Sequence, residues 1–277
     1  MKKVNLVNAL EKGIDKLQPV HEWNNDNIHV SDLAVFLSDS DRKCHRSLWM
    51  RLRGYKKKKY LPGKKLMFLQ GNRLHEIAAE LLKYGLKDWY ISATEYNVSD
   101  GLPDGVTGRT DLILSRGNEL MIVDFKTVRG GAFGYLNEPK ESHKLQVRTY
   151  MYATGADYGA VLYIDREGQN FARQFPIEKD NFMVEAAIKK AKVIAEQKIM
   201  PEKMSPKIKT RKNKGPDAVY AELPWQCKYC DYLDVSCKGA LPFEFRGNTV
   251  KGYLEGDDFK AKEDYHGIGD YITLKSG

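Results

Sequence analysis

The sequence predicts an α/β fold, a mixed central sheet flanked by helices. Two kinds of segment predict it. "RTDLILS", "ELMIVDFKTV", "GAVLYID" and "NFARQFPI" are short, rich in Val, Ile, Leu and Thr or aromatics, and read as strands. Around them lie longer stretches with apolar residues at helical spacing: "FLQGNRLHEIAAELLKYG", "HKLQVRTYMYATG" and "KDNFMVEAAIKKAKVIAEQKIM". Helices interleaved with strands give a layered α/β architecture.

In chain order, residues 1–28 form an N-terminal extension. Residues 29–66 are basic, predicted mostly helical, and carry Cys44. A helix over 67–86 carries His75, because Leu74, Ile77, Ala78, Leu81 and Leu82 recur on one side of it. Residues 90–128 form a three-strand meander, and 143–154 a helix on which Gln146 and Tyr150 share a face. Two strands and the long amphipathic helix follow. A basic linker then leads to a cysteine knuckle at 223–240. The tail, 241–277, is Gly-rich and mixed in charge, and suggests no function. No internal repeat is present.

The hairpin inside the meander carries the chemistry. A two-residue loop, Gly117-Asn118, suits the primed turns that match strand twist. Facing residues then sum to 235, so Asp111 faces Asp124, and Lys126 points to the same side. Two carboxylates directly opposite repel each other. A divalent cation between them resolves the conflict. Mg²⁺ takes hard oxygen ligands and keeps several waters. Such an ion polarises a phosphodiester and acidifies an attacking water, with Lys126 beside the developing charge.

"GRTD", a hairpin's length, then "VDFKT" resembles the PD-(D/E)XK nuclease superfamily and its restriction-endonuclease-like core. "GNRLHE" resembles the start of the metal-binding helix in the RecB-type branch, and Q-x-x-x-Y at Gln146 and Tyr150 resembles the motif that follows the catalytic strand there. The resemblance implies one domain over 29–240 that hydrolyses DNA with Mg²⁺ or Mn²⁺. His75, Asp111, Asp124 and the carbonyl of Phe125 would bind metal. Asp111, Asp124 and Lys126 would be catalytic. Gln146, Tyr150 and Arg109 would contact DNA. Glu95, in "ISATEYNV", is a further candidate to support the metal site.

Cys44 stands alone, while Cys227, Cys230 and Cys237 form C-x2-C-x6-C. "MKKVNLVNALEKGID" is broken by charges and does not read as a signal peptide, and no stretch is apolar enough to span a membrane. A reducing, cytoplasmic setting is expected, where C-x-x-C reads as metal-binding or redox. Four thiols suit Zn²⁺ or a [4Fe–4S] cluster, and the count does not distinguish them. One Cys ahead of the core and three after it resembles the iron–sulfur exonucleases of the RecB-type branch, including the CRISPR-associated exonuclease and the AddB nuclease domain. That resemblance implies a [4Fe–4S] cluster formed by residues from 29–66 and 223–240, with His45 as an alternative to Cys44.

The net charge of +8 and pI near 9.1 suggest a polyanionic partner. "RSLWMRLRGYKKKKYLPGKK" is one basic stretch, with Arg51, Arg53, the run Lys56, Lys57, Lys58 and Lys59, then Lys64 and Lys65, and "KMSPKIKTRKNK" is a second. Trp49, Tyr55 and Tyr60 lie among the first, suited either to stacking on bases or to a core. The expected substrate is single-stranded DNA or DNA ends, in recombination, repair or CRISPR-type processing. Protein partners from a recombination or CRISPR adaptation complex fit the same resemblance. The alternatives are a non-catalytic module that binds DNA ends and a subunit active only with partners.

Overall fold

The apolar runs pair into one sheet of five strands, β1 (Tyr90–Asn97), β2 (Arg109–Arg116), β3 (Glu119–Val128), β4 (Tyr158–Asp165) and β5 (Ala172–Ile177), side by side in chain order. The computed structural model describes residues 6–17, 26–38, 41–204, 207–210, 219–222, 224–233, 235–237, 240–245, 248–253, 259–260 and 273–274. Among them are the helices α1 (Leu6–Leu17), α2 (His45–Leu52), α3 (Pro62–Gly85), α4 (Glu141–Thr154) and α5 (Asn181–Glu196). The contacts divide the chain into two compact units, 1–43 with 59–196, and 44–58 with 197–277.

The first unit holds the sheet. It is mixed, as expected: β3 and β4 run parallel, and the other neighbours antiparallel. A parallel pair needs a crossover connection, and α4 supplies it. The central strand β3 is buried over Ile122, Val123, Asp124 and Phe125 in succession, which explains its near-continuous apolar run. Asp124 is the one charge inside that run.

Side chains alternate across a strand. Leu112, Leu114, Val123, Phe125 and Ile164 form a core cluster with Ala78, and Ala79 and Leu82 of α3 pack against it. Asp111, Asp124 and Lys126 point to the opposite face by the same alternation. α4 contacts β3 and β4 and buries Leu145, Val147, Tyr150 and Met151. α5 buries Val184, Ala187, Ile188, Ala191 and Ile194 and packs on α4 and on a 3-10 helix, Val30–Phe36.

Two sequence expectations about α3 need correction. Within 29–66, Val30–Phe36 is 3-10 helix, α2 spans eight residues, and 55–61 has no regular structure. α3 begins at Pro62, earlier than predicted, because proline is well placed in a first helical turn where its missing N–H costs nothing. The buried side of α3 is Ala78 with half-buried Ala79 and Leu82, whereas Ile77 and Leu81 are 52% and 54% exposed. The sheet meets the helix along Ala78, Ala79 and Leu82, and Ile77 and Leu81 are turned out.

The second unit is built on α2, whose Leu48, Trp49 and Met50 are buried. The Trp49 indole N–H donates to the Gln197 carbonyl at 2.8 Å, and the Arg53 guanidinium stacks on its ring. Trp49 is thus core, not a base-stacking platform. Cys227 and Leu233 form a small cluster with Met204 and Cys230. The basic run is tied to the cysteine segment by backbone: Lys58 N–H donates to the Asp231 carbonyl at 2.7 Å, and Ser236 Oγ donates to the Lys56 carbonyl at 2.8 Å. Short antiparallel pairs, Lys207–Thr210 with Val219–Glu222, Ala240–Phe245 with Asn248–Tyr253 and Phe259–Lys260 with Thr273–Leu274, complete what is described of the C-terminal region. Half of the second basic stretch, 205–206 and 211–214, lies outside the described residues. No helix among the described residues is long and apolar enough to cross a membrane.

Candidate metal centre and its lysine

The β2–β3 hairpin closes on the two residues the sequence indicated. Arg116 faces Glu119 and Leu112 faces Val123, every pair summing to 235. Gly117 has φ +57, the value that the first position of a type II′ turn requires. The paired ladder ends at Leu112–Val123, one rung short of Asp111 and Asp124. There the Asp111 carboxylate takes the Phe125 N–H at 2.7 Å. A strand residue presents its N–H and C=O to the same neighbour. The Phe125 carbonyl is therefore aimed toward Asp111 as well.

His75 arrives from α3, on the other face of the sheet, and meets the carboxylates where the ladder has ended. Its Nδ1 is 3.7 Å from Asp111 Oδ2, and its ring centroid is 5.5 Å from that of Phe125. Glu95 comes from β1. One donor atom each of His75, Glu95 and Asp111 lies within 4.8 Å of the others. Glu95 has φ +50, alone among the described non-glycine residues in the left-handed region, and its carboxylate pairs with Arg109 at 2.7 Å. Such a backbone costs of order 1–3 kcal/mol and clusters at functional sites.

The donors fit a divalent cation in charge as well as in kind. Burial, with help from the Lys126 ammonium, lowers His75 to about 4, so its imidazole is neutral and able to ligate. Burial first, then Asp124, lifts Asp111 to about 7. Burial also raises Asp124, against the pull of Lys126. Two carboxylates that resist ionising together are what a cation stabilises.

Lys126 is held from two sides. Its Nζ lies 2.7 Å from Asp124 Oδ2, as a close ion pair off the line of an aligned hydrogen bond. It also donates to Gln146 Oε1 at 3.0 Å. Gln146 Nε2 in turn donates to the Tyr150 hydroxyl at 2.8 Å. Tyr150 is 3% exposed, so here it braces Gln146 from inside rather than facing outward. Gly108, which opens "GRTD", makes this possible. A Cβ there would stand 2.5 Å from Val30 Cγ2 and 3.1 Å from Tyr150 Cε1.

The sequence reading missed two neighbours of this network, His143 and Tyr163. His143 Nδ1 is 2.7 Å from the Tyr163 hydroxyl. Tyr163 pairs with Lys126 across the parallel strands, and His143 precedes Gln146 by one helical turn. The H-x-x-Q spacing was the available signal.

In the second unit, Cys44, Cys227, Cys230 and Cys237 line one small pocket with Arg46, Ser47 and Met50. All four are free thiols. Burial raises Cys44 and Cys230, so these thiols hold their protons until a cation displaces them. Cys44, far away in sequence, therefore joins the C-terminal three in one pocket. Among the DNA-contact candidates, Arg109, Lys56 and Lys59 are exposed, while Lys57 and Lys58 are half-buried, Lys57 with its ammonium over the Tyr232 ring.

The model of the PD-(D/E)XK nuclease superfamily matches residues 36–237. Among solved structures, SSO0001 is similar at 19% identity and TM-score 0.52, over 84% of this chain and 95% of its own. An alkaline exonuclease from Laribacter hongkongensis matches at 12% identity and TM-score 0.48, over 66% of this chain and 90% of its own. A phage-related exonuclease from Haemophilus somnus matches at 16% identity and TM-score 0.44, over 61% and 92%. At 19% identity the likeness to SSO0001 concerns the fold alone. No curated protein matches the sequence.

Proposed function

Because the chain belongs to the PD-(D/E)XK nuclease superfamily, we propose that it is a divalent-metal-dependent exonuclease that hydrolyses phosphodiester bonds of single-stranded DNA or DNA ends. The observation that carries this reading is the meeting of His75, Glu95 and Asp111 within 4.8 Å, beside the buried Asp124 and its partner Lys126. His75, Asp111, Asp124 and the Phe125 carbonyl would hold Mg²⁺ or Mn²⁺, with Glu95 within reach. When bound, the ion supplies Lewis acidity and a more acidic water.

The chain's own groups do the rest. Asp124 and Gln146 fix the Lys126 ammonium at the site, where it stabilises negative charge developing on the phosphate. Tyr150 keeps Gln146 in place to do so. Neutral His75 contributes a lone pair and no competing positive charge. Arg109 and the Lys56–Lys59 run would bind the strand through its phosphates, without reading sequence.

The same reading assigns a [4Fe–4S] cluster to Cys44, Cys227, Cys230 and Cys237, with Zn²⁺ as the alternative cargo of that pocket. Its role would be mechanical. It would close a loop of nearly two hundred residues and offset part of the chain entropy that such a closure costs. The setting would be the cytoplasm, with DNA as substrate and a recombination or CRISPR adaptation complex as the source of protein partners.

The test is anaerobic purification, then digestion of end-labelled single-stranded DNA with Mn²⁺ by wild type and Asp124→Ala, with visible spectra of both. The expected result is a brown wild type that cuts and a brown variant that does not. A colourless, folded wild type that contains zinc would reassign the cysteines. A folded wild type that leaves DNA intact would leave a clamp for DNA ends or a subunit active only with partners.

A further inference from the structure

We propose that the Nε2–H of His143 holds a non-bridging oxygen of a backbone phosphate in the strand being cut, and that Tyr163 fixes the tautomer that makes it a donor. The proposal rests on the nuclease reading above.

The tautomer follows from the hydrogen bonds. The Tyr163 hydroxyl accepts the Lys140 N–H at 3.3 Å. Its own proton then needs an acceptor, and His143 Nδ1 stands 2.7 Å away. Nδ1 that accepts carries no proton, so in the neutral ring the proton is on Nε2. The ring is neutral because burial, and then Lys126 and Lys140, lower His143 to about 3. Tyr163 is fully buried, and the same burial raises it to about 12, so it keeps its proton and the arrangement is locked.

Nothing among the described residues bonds to Nε2. The ring is only partly buried, on the α4 face that also carries Gln146 and hence Lys126. A fixed neutral donor beside two ammonium groups suits an anion. The polyanion that would occupy this site offers phosphate oxygens at every step along the strand. A protonated His would attract the phosphate too, but would repel Lys126. The Tyr163 lock supplies a donor without that charge.

The test uses single-stranded oligonucleotides that carry one methylphosphonate, moved along the strand position by position. In wild type, one position near the cut should show a penalty from losing its anionic oxygen. His143→Ala should raise KM about tenfold, since a hydrogen bond to a charged group is of that order, and leave kcat within about twofold. The penalty at that one position should vanish in the variant. His143→Gln, which keeps a donor, should recover part of the loss, and Tyr163→Phe should show a smaller rise in KM. Equal penalties in wild type and variant at every position would overturn the assignment. So would a fall in kcat at constant KM that tracks a lowered melting temperature. If wild type leaves the DNA uncut with Mn²⁺, the nuclease reading fails instead. Binding of the same oligonucleotides, read by fluorescence anisotropy without added metal, then decides the His143 contact alone.

Discussion

Asp111→Asn should stabilise the metal-free protein at pH 8. The Asp111 side chain is 17% exposed and feels the Asp124 carboxylate beside it. Its folded value is about 7 against an ordinary 3.8, with burial as the main cause and Asp124 next. The sign follows from proton counting. Below about pH 4 the group is protonated in both folded and unfolded chains, and contributes no pH dependence. Between there and 7 the unfolded chain has lost the proton and the folded one has kept it, so stability falls as pH rises. Above 7 the loss is complete. A rise from 3.8 to about 7 corresponds to a ceiling of ~4 kcal/mol. The two carboxylates share the strain, so ~2–4 kcal/mol is expected. Asparagine is neutral at every pH and keeps an oxygen for the Phe125 N–H. Urea denaturation in EDTA, wild type against variant at pH 5 and pH 8, reads the difference. The variant should be more stable than wild type at pH 8, with a much smaller gap at pH 5. Added Mg²⁺ should stabilise wild type and narrow the gap, because a ligand that binds only the folded state adds to its stability. A gap of the same size at both pH values, or a variant less stable at pH 8, would refute the reasoning.

Gln146→Leu removes the acceptor of Lys126 and the donor to Tyr150, and should lower kcat for DNA cleavage about tenfold with little change in melting temperature. Unchanged kcat would show that Asp124 alone positions the lysine. Gly108→Ala puts a methyl 2.5 Å from Val30 and 3.1 Å from Tyr150, so it should cost ~1–3 kcal/mol of stability and lower cleavage as well. A variant as stable and active as wild type would mean that the Val30 side of this contact yields freely. Cys237→Ser should lower bound iron, or zinc, in proportion to any loss of visible absorption, read by elemental analysis and the spectrum. Full metal content in this variant would remove Cys237 from the ligand set.

The sheet and the register of its hairpin were legible for a local reason. A two-residue loop sets a register, and the register sets which side chains face each other, so Asp111, Asp124 and Lys126 could be placed from residue numbers alone. Gln146 and Tyr150 were legible through helical spacing, but their inward direction was not. That depends on Gly108 letting Val30 and Tyr150 close together, a contact between segments distant in sequence. His143 escaped notice because its partner, Tyr163, lies on another strand. The apolar pattern of α3 misled for a related reason. Periodicity marks a possible buried face, but the sheet chose the narrower one around Ala78. Cys44 meets the other cysteines only through folding, so spacing could suggest the grouping but not place it.

The turn at Gly117 and Asn118 carries a constraint unusual for an exposed loop. It lies six residues from Asp111, roughly 20 Å along the strand. Surface turns of this kind are ordinarily where lineages gain and lose residues. Here parity matters. If the loop took up one inserted residue by sliding the ladder, Asp111 would stand opposite a side chain of the other face, and the pair that calls for a cation would be gone. An insertion confined to a longer loop, with the ladder unmoved, would be harmless. Length variation among descendants of this chain should therefore be filtered at this turn by its effect on register, although no atom of the turn comes near the chemistry.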